Sequence, residues 1–315
     1  MYPGTMNTRP IGSTGLHVFP LCLGGNVFGW TIDEAQSFAV LDAYAAAGGN
    51  FIDTADTYSS WVPGHAGGES ETIIGRWMRS RGNRDRMIVA TKVGLWSTLK
   101  GLAPATIRTA VDGSLARLGT DRIDLYYAHT DDRDTPLAET LRAFDEIVRA
   151  GKVRFIAASN YTAPRLAEAL AVSAREGLAS FVALQPHYNL VHRDEYEGAL
   201  RDVCVRAGLS CLPYFGLAGG FLTGKYRPGV TVDSQRAGGA GKYLDARGER
   251  VLAALQRVAS ARGTTIAATA LAWLLTDRTI AAPLASARTP AQLADLLPAV
   301  DVRLTDAEVG ALAGA

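Results

Sequence analysis

The sequence predicts an α/β fold: a closed (β/α)8 barrel in one domain over residues 1–315, with an N-terminal β-hairpin and extra helices near the C-terminus. Three observations predict it. Eight short apolar runs alternate with amphipathic runs along the chain. The apolar runs are nearly continuous, as in parallel strands buried on both faces. Eight such βα units fill roughly 250 residues or more, which suits a closed ring better than an open sheet. No low-complexity linker or shift in composition divides the chain.

The segment Arg9 to His17, with Gly12 and Gly15, reads as a small hairpin. Strand one, Leu21–Leu23, runs into Gly24-Gly25-Asn26 and then a helix over Asp33–Ala47. Strand two, Asn50–Ile52, is followed by Asp53 and Tyr58 and a helix over Glu69–Ser80. Strand three, Met87–Thr91, ends at Lys92 and precedes a helix over Pro104–Leu118. Strand four, Ile123–Tyr127, ends near His129 before a helix over Pro136–Arg149. Strand five, Val153–Ala158, ends in Ser159-Asn160 before Ala163–Glu176. Strand six, Phe181–Leu184, ends at Gln185 before Asp194–Ala207. Strand seven, Leu209–Leu212, leads to Tyr214 and, further on, to helices over Ala246–Ala261 and Thr264–Leu275. Strand eight, Ile280–Leu284, leads to Ser286, Arg288 and a helix over Pro290–Leu297. Thr305–Leu312 closes the chain as a helix whose Thr305 and Glu308 form a capping-box pattern. Asp, Ser, Thr or Pro opens several of these helices, where caps and first turns favour them.

Composition narrows the function classes. The 315 residues are 48% hydrophobic, enough for a sizeable core. Lys+Arg 32 against Asp+Glu 31 leaves a net charge of +1, without a basic run for nucleic acid or an anionic membrane. The opening MYPGTMNTRP lacks the apolar core of a signal peptide. No stretch of about 18 apolar residues is present to span a membrane. Cys22, Cys204 and Cys211 are odd in number and outside any CxxC pair, which predicts buried free thiols and a cytoplasmic setting.

The strand ends carry the chemistry. Taken alone, Asp53 capping a turn and Tyr58 packing under a loop would explain their stretch. Eight polar strand ends on one rim, with Asp, Tyr, Lys and His on consecutive strands, exceed what turn chemistry requires. Tyrosine, with a pKa of about 10, is a poor acid or base at neutral pH. A nearby ammonium favours the phenolate and draws that value down, and a carboxylate holds the ammonium. A histidine can bond a substrate oxygen or pass a proton. Tyr58, Lys92, Asp53 and His129 therefore suit proton transfer to a carbonyl oxygen. Reduction also needs a hydride source, so the set implies a nicotinamide cofactor. Arg288, beside Ser286 after strand eight, suits the 2′-phosphate that distinguishes NADP(H) from NAD.

The segments RPIGSTGLHVFPLCLGG, GGNFIDTADTY, GGESETIIGRWM, IVATKVG, RIDLYYAH, GKVRFIAASN, LQPHYNL, GLAGGFLTGKY and SARTPAQL run nearly end to end. In these contexts Asp53, Tyr58, Lys92 and His129 make the chain resemble the aldo-keto reductases. The resemblance implies a TIM barrel that reduces an aldehyde or ketone with NADPH. It implies Tyr58 as general acid, tuned by Lys92 and Asp53, with His129 orienting the carbonyl. Ser159, Asn160 and Gln185 match carboxamide-binding positions, and Tyr214 the aromatic that stacks on the nicotinamide. The segment Phe215 to Lys225, with Gly216, Leu217 and Gly219, matches the loop over the pyrophosphate. Gly25, Asn26, Arg236, Ser286, Arg288 and Gln292 complete the expected cofactor contacts, together with Asp53. Two positions depart from the pattern. Phe215-Gly216 stands where relatives often have Ser-Pro after the stacking aromatic, and Leu296 stands where an adenine-contacting Asn is common.

Other features weigh less. Gly219 to Lys225 reads GGFLTGK, which fits G-x-x-x-x-G-K, but Tyr226 replaces the Ser or Thr of a P-loop. No G-x-G-x-x-G follows an early strand. His187 and His192 are five apart without a third ligand at suitable spacing, so no metal site is expected. His17 and His65 belong to no constellation. Trp30, Trp61 and Trp96 all lie in loops after strands and point to an aromatic substrate pocket. The expected partner is a small-molecule carbonyl compound. A rival reading comes from potassium-channel β subunits of the same superfamily, which keep the four residues yet act as NADP-binding regulators with slow turnover. The natural substrate and the oligomeric state, a homo-oligomer included, are left open by the sequence.

Overall fold

The computed structural model describes residues 8–227, 229–230, 232, 235 and 237–315. The hairpin pairs β1 (Arg9–Pro10) with β2 (His17–Val18) in antiparallel register. Its turn needs glycine at Gly12, where φ is 48° and an added Cβ would meet the Val182 and Gly208 carbonyls at 3.1 and 3.2 Å. Ile11, Leu16 and Val18 join the side chains that fill the barrel, so the hairpin covers its N-terminal end.

Eight parallel strands follow: β3 (Cys22–Gly24), β4 (Phe51–Asp53), β5 (Ile88–Val93), β6 (Ile123–Ala128), β7 (Val153–Ser159), β8 (Phe181–Gln185), β9 (Ser210–Cys211) and β10 (Leu284–Ala285). Each pairs with the next, and β10 pairs back to β3 through Leu284 and Cys22. A bridge between Cys211 and Ile280, with Cys211 N donating to Thr279 O at 2.7 Å, closes the remaining gap. The expected (β/α)8 barrel and hairpin are therefore present. The last ladder lies nearer the C-terminus than Ile280–Leu284, because Pro283 has no N–H to donate.

Helices α1 (Glu34–Ala46), α2 (Glu69–Arg81), α3 (Pro104–Leu118), α4 (Leu137–Arg149), α5 (Ala163–Glu176), α6 (Ala199–Ala207), α7 (Ala237–Gly241), α8 (Ala246–Arg262), α9 (Ile266–Leu274), α10 (Pro290–Ala294) and α11 (Asp306–Ala313) surround it. Asp33 with Gln36, and Thr305 with Glu308, form capping boxes at α1 and α11. Three helices differ from expectation. α6 begins at Ala199 rather than Asp194, because Gly198 sits at φ 86°, ψ −127° and breaks the run. The helix from Pro290 stops at Ala294, and Pro298 follows in a 3-10 turn over Leu297–Val300. The short Ala-Gly helix α7 was not anticipated. No helix among the described residues is long and apolar enough to cross a membrane.

The two-residue strand period positions the site. Phe51, Ile88, Ala90, Leu125, Tyr127, Ala157 and Ala183 point into the barrel, while Ile52, Val89, Tyr126, Ala158 and Leu184 pack under the helices. Asp53, Lys92, His129, Ser159 and Gln185 continue the inward rows. They therefore converge at the C-terminal mouth, where barrels of this kind build their sites.

Candidate active site

A cleft of about 670 Å³ opens at that mouth and runs from Tyr58 and His129 to Arg288 and Leu296. At its inner end Lys92 is fully buried, and its Nζ has three acceptors within reach. It donates to Asp53 Oδ2 at 2.5 Å, to Thr54 O at 2.7 Å and to Tyr58 Oη at 3.0 Å. Tyr58 reaches this ammonium because the chain turns after β4, with Tyr58 N bonded to Ala55 O. The His129 ring lies 6.2 Å from the Tyr58 ring, and both line the cleft.

The electrostatics correct one expectation. Burial disfavours the Lys92 ammonium, but Asp53 and Tyr58 outweigh it and raise its pKa. Burial likewise pushes the Tyr58 phenol up, and Lys92 only partly offsets this. The net shift is upward rather than downward, so Tyr58 holds its proton at neutral pH. His129 is held well below the ordinary histidine value by burial and then by the Lys92 charge, which keeps the imidazole neutral. The Nδ1 of His129 is buried without a hydrogen-bond partner among the described residues.

One wall is built of amides and hydroxyls. Ser159 Oγ donates to Gln185 O at 2.9 Å, and Gln185 Nε2 donates to Asp53 Oδ1 at 2.9 Å. Asn160, left-handed at φ 56°, donates to His129 O and accepts from the Tyr214 hydroxyl at 2.8 Å. Beyond Tyr214 the backbone turns left-handed at Phe215, Ala218, Gly219 and Gly220, giving the compact turn Ala218–Thr223. This is not the strand–loop–helix of a P-loop. Gly216 lies so close to α9 that a Cβ would meet Leu271 Cδ2 and Leu274 Cδ1, both at 3.2 Å. Leu217 and Lys225 line the same stretch.

At the far end Ser286 Oγ donates to Asn26 Oδ1 at 2.6 Å. Arg288 N donates to Gln292 Oε1 at 3.0 Å, and Arg288, Gln292 and Leu296 all face the cleft. Gly25 does not line it: its carbonyl accepts from Ser70 Oγ, and Gly24 faces the cleft instead. Arg236 lies outside the described residues. Val27, Thr31, Leu95, Thr265 and Asp295 also line the cleft. Loop packing places them, and no spacing in the sequence marks them.

The three tryptophans separate. Trp30 and Trp61 meet edge to face at 5.4 Å, and Trp61 lies 6.2 Å from the Tyr58 ring. Trp96 instead donates from Nε1 to Ala66 O at 3.0 Å and lies under the Arg117 guanidinium. None of the three, Trp30 and Trp61 included, is among the residues that line the cleft. Cys22, Cys204 and Cys211 are free and buried. His187 and His192 are brought together with Glu195, a third ligand type that sequence spacing had not singled out.

Comparison with known proteins gives the family. The model of the aldo/keto reductase family matches residues 20–315. The chain is 35% identical to the uncharacterized oxidoreductase YrpG of Bacillus subtilis, over 93% of this chain and 91% of that protein. It is 33% identical to norsolorinic acid reductase stcV of Emericella nidulans, over 94% and 77%. It is 32% identical to a probable voltage-gated potassium channel subunit beta of Oryza sativa, over 94% and 92%. With its parallel barrel, its buried Asp-Lys-Tyr cluster and a family match over nearly its whole length, the chain belongs to the aldo/keto reductase family of oxidoreductases.

Proposed function

We propose that the chain is an NADPH-dependent reductase of carbonyl compounds, with Tyr58 as the general acid. The observation that carries this reading is the 3.0 Å contact from Lys92 Nζ to Tyr58 Oη at the bottom of the cleft. Tyr58 is a protonated phenol with a fixed cation behind it. It can give its proton to a carbonyl oxygen, and Lys92 then stabilises the phenolate left behind. Asp53 holds Lys92 in place. Neutral His129 orients the carbonyl oxygen by hydrogen bonding.

The cleft suits a nicotinamide dinucleotide in its donor set. Gln185 has committed Nε2 to Asp53, which leaves Oε1 to accept from a carboxamide. Ser159 and Asn160 would hold the same group, and Tyr214 the ring face. The Phe215–Lys225 turn would hold the pyrophosphate, and Ser286 with Arg288 the 2′-phosphate. NADPH supplies the hydride when bound. Among the described residues the cationic side chains that line the cleft are Lys225 and Arg288, both given to the cofactor in this reading, while Trp61 lies 6.2 Å from the Tyr58 ring and Trp30 packs on Trp61. Uncharged, partly apolar aldehydes and ketones fit that end better than carboxylates.

The test is NADPH oxidation across a panel of aldehydes and ketones, for the wild type and Tyr58→Phe. The variant is expected to lose about 10²–10⁴-fold in kcat and to keep its NADPH affinity. Retention of most of the kcat would remove Tyr58 from its role. The similarity to the Oryza sativa channel subunit favours a second reading, a nicotinamide-binding regulatory protein. Tight NADPH binding with negligible turnover on every carbonyl would select it.

A further inference from the structure

The loop after β8 holds a group of side chains that the reductase reading does not use. A tight turn, with Asn189 N bonded to His192 O and His192 N to Asn189 O, folds the chain back on itself. It lays the His187 and His192 rings together at 3.7 Å and 13°. One ring nitrogen from each histidine and a carboxylate oxygen of Glu195 lie within 4.8 Å of one another. Among the described residues no other three His, Cys, Asp or Glu side chains converge in this way. His192 Nε2 is buried, has no well-formed hydrogen bond among the described residues, and lies 3.1 Å from Glu195 Oε1.

We propose that His187, His192 and Glu195 form a site for a divalent ion of the zinc type. Two imidazoles and one carboxylate are a zinc donor set that leaves a fourth position for water. Zinc–ligand distances of about 2.0–2.2 Å put neighbouring tetrahedral ligands roughly 3.4 Å apart. The His192–Glu195 contact already spans that edge. The histidine rings are nearly parallel, so their in-plane lone pairs run side by side. Both nitrogens reach one ion only when a ring turns.

That movement links the site to the cleft. The His187 ring also stacks on Tyr214 at 5.3 Å, and Asn189 between the histidines donates to Phe215 O at 2.9 Å. Turning His187 takes it off Tyr214. This part rests on the proposed reading that Tyr214 holds the cofactor's ring. Metal and cofactor then oppose one another, and linkage makes the effect the same in both directions.

The experiment is calorimetric titration of the untagged, full-length chain with Zn²⁺. Parallel titrations use Co²⁺, whose visible absorption reports tetrahedral coordination. One Zn²⁺ per chain is expected. Binding is expected to weaken by about tenfold or more in each of His187→Gln, His192→Gln and Glu195→Gln. Glu195 is two-thirds exposed, so its variant keeps the fold. The thiols are buried and do not compete for the ion. Absence of saturable binding, or binding that survives all three substitutions, would overturn the site. With saturating NADPH the Zn²⁺ affinity is expected to fall several-fold, and an unchanged value would overturn the coupling. Failure of NADPH to bind would count against the reductase reading, while the titration of the free chain still tests the metal site.

Discussion

Gln185 and Asp53 are 132 residues apart in sequence, yet Gln185 Nε2 donates to Asp53 Oδ1 at 2.9 Å across the mouth of the barrel. Asp53 therefore has one oxygen on Gln185 and the other on Lys92. It joins the amide wall of the cleft to the ammonium behind Tyr58.

This joint predicts coupling between substitutions. Lys92→Met removes the cation and leaves a buried carboxylate without its partner, at a cost of about 3–5 kcal/mol in stability. Adding Asp53→Asn removes the stranded charge. The double variant is expected to melt above Lys92→Met and to lose little further kcat. Denaturation and turnover of the three variants measure this. Fully additive losses in kcat would give Asp53 a task separate from holding Lys92.

A second carboxylate predicts a pH dependence. Asp56, two residues before Tyr58, is completely buried. Burial, then the Glu71 charge, push its pKa up from 3.8 to about 8, against the pull of Arg117 and Lys92. Below pH 3.8 the folded and unfolded chains both carry the proton. As pH rises further the unfolded chain releases it and the folded chain keeps it. Stability present at low pH is thus lost progressively up to about pH 8. Asp56→Asn has no such titration. Its stability relative to wild type is expected to rise with pH, by up to about 1.4 kcal/mol per unit. Urea denaturation at several pH values between these limits is the measurement, and a constant difference would refute the assignment.

How much of this was legible in the sequence follows from the strand period. Asp53 lies two residues after Phe51, Lys92 two after Ala90 and His129 two after Tyr127. A buried parallel strand sends such pairs to the same side. The inward position of the catalytic candidates was therefore implicit in strands that could be read directly. The Gln185–Asp53 bond was not, because it depends on how far the ring closes. The place of the three tryptophans was not legible for a related reason: nothing local tells whether a loop side chain faces the cleft or a neighbouring loop. Burial of Tyr58 outweighs its cation, and burial cannot be summed from residue types alone.

The separated tryptophans predict different phenotypes. Trp61→Ala or Trp30→Ala removes apolar surface next to Tyr58 and is expected to raise KM for aryl carbonyls more than for small aldehydes. Trp96→Ala loses the bond to Ala66 O and the Arg117 contact. It is expected to cost about 1–2 kcal/mol of stability and to leave substrate ranking unchanged. Melting curves and KM values across a carbonyl panel separate the two. A changed ranking in Trp96→Ala would return that residue to the pocket.

Cofactor choice is predicted from Arg288. Its backbone N is fixed by Gln292 Oε1, and it lines the cleft. A guanidinium there can bind a 2′-phosphate through paired N–H donors. NADH has no group at that position. Arg288→Ala is therefore expected to weaken NADPH by about 1.5–3 kcal/mol, roughly tenfold to a hundredfold, and to leave NADH nearly level. The wild-type preference for NADPH is expected to shrink as salt rises, because the contact is open to solvent and screened. Fluorescence titration of both proteins with both nucleotides, at low and high ionic strength, measures each effect. Equal losses for the two nucleotides would mean that Arg288 supports the loop rather than the phosphate. A wild type that prefers NADH would leave the 2′-phosphate without a reader.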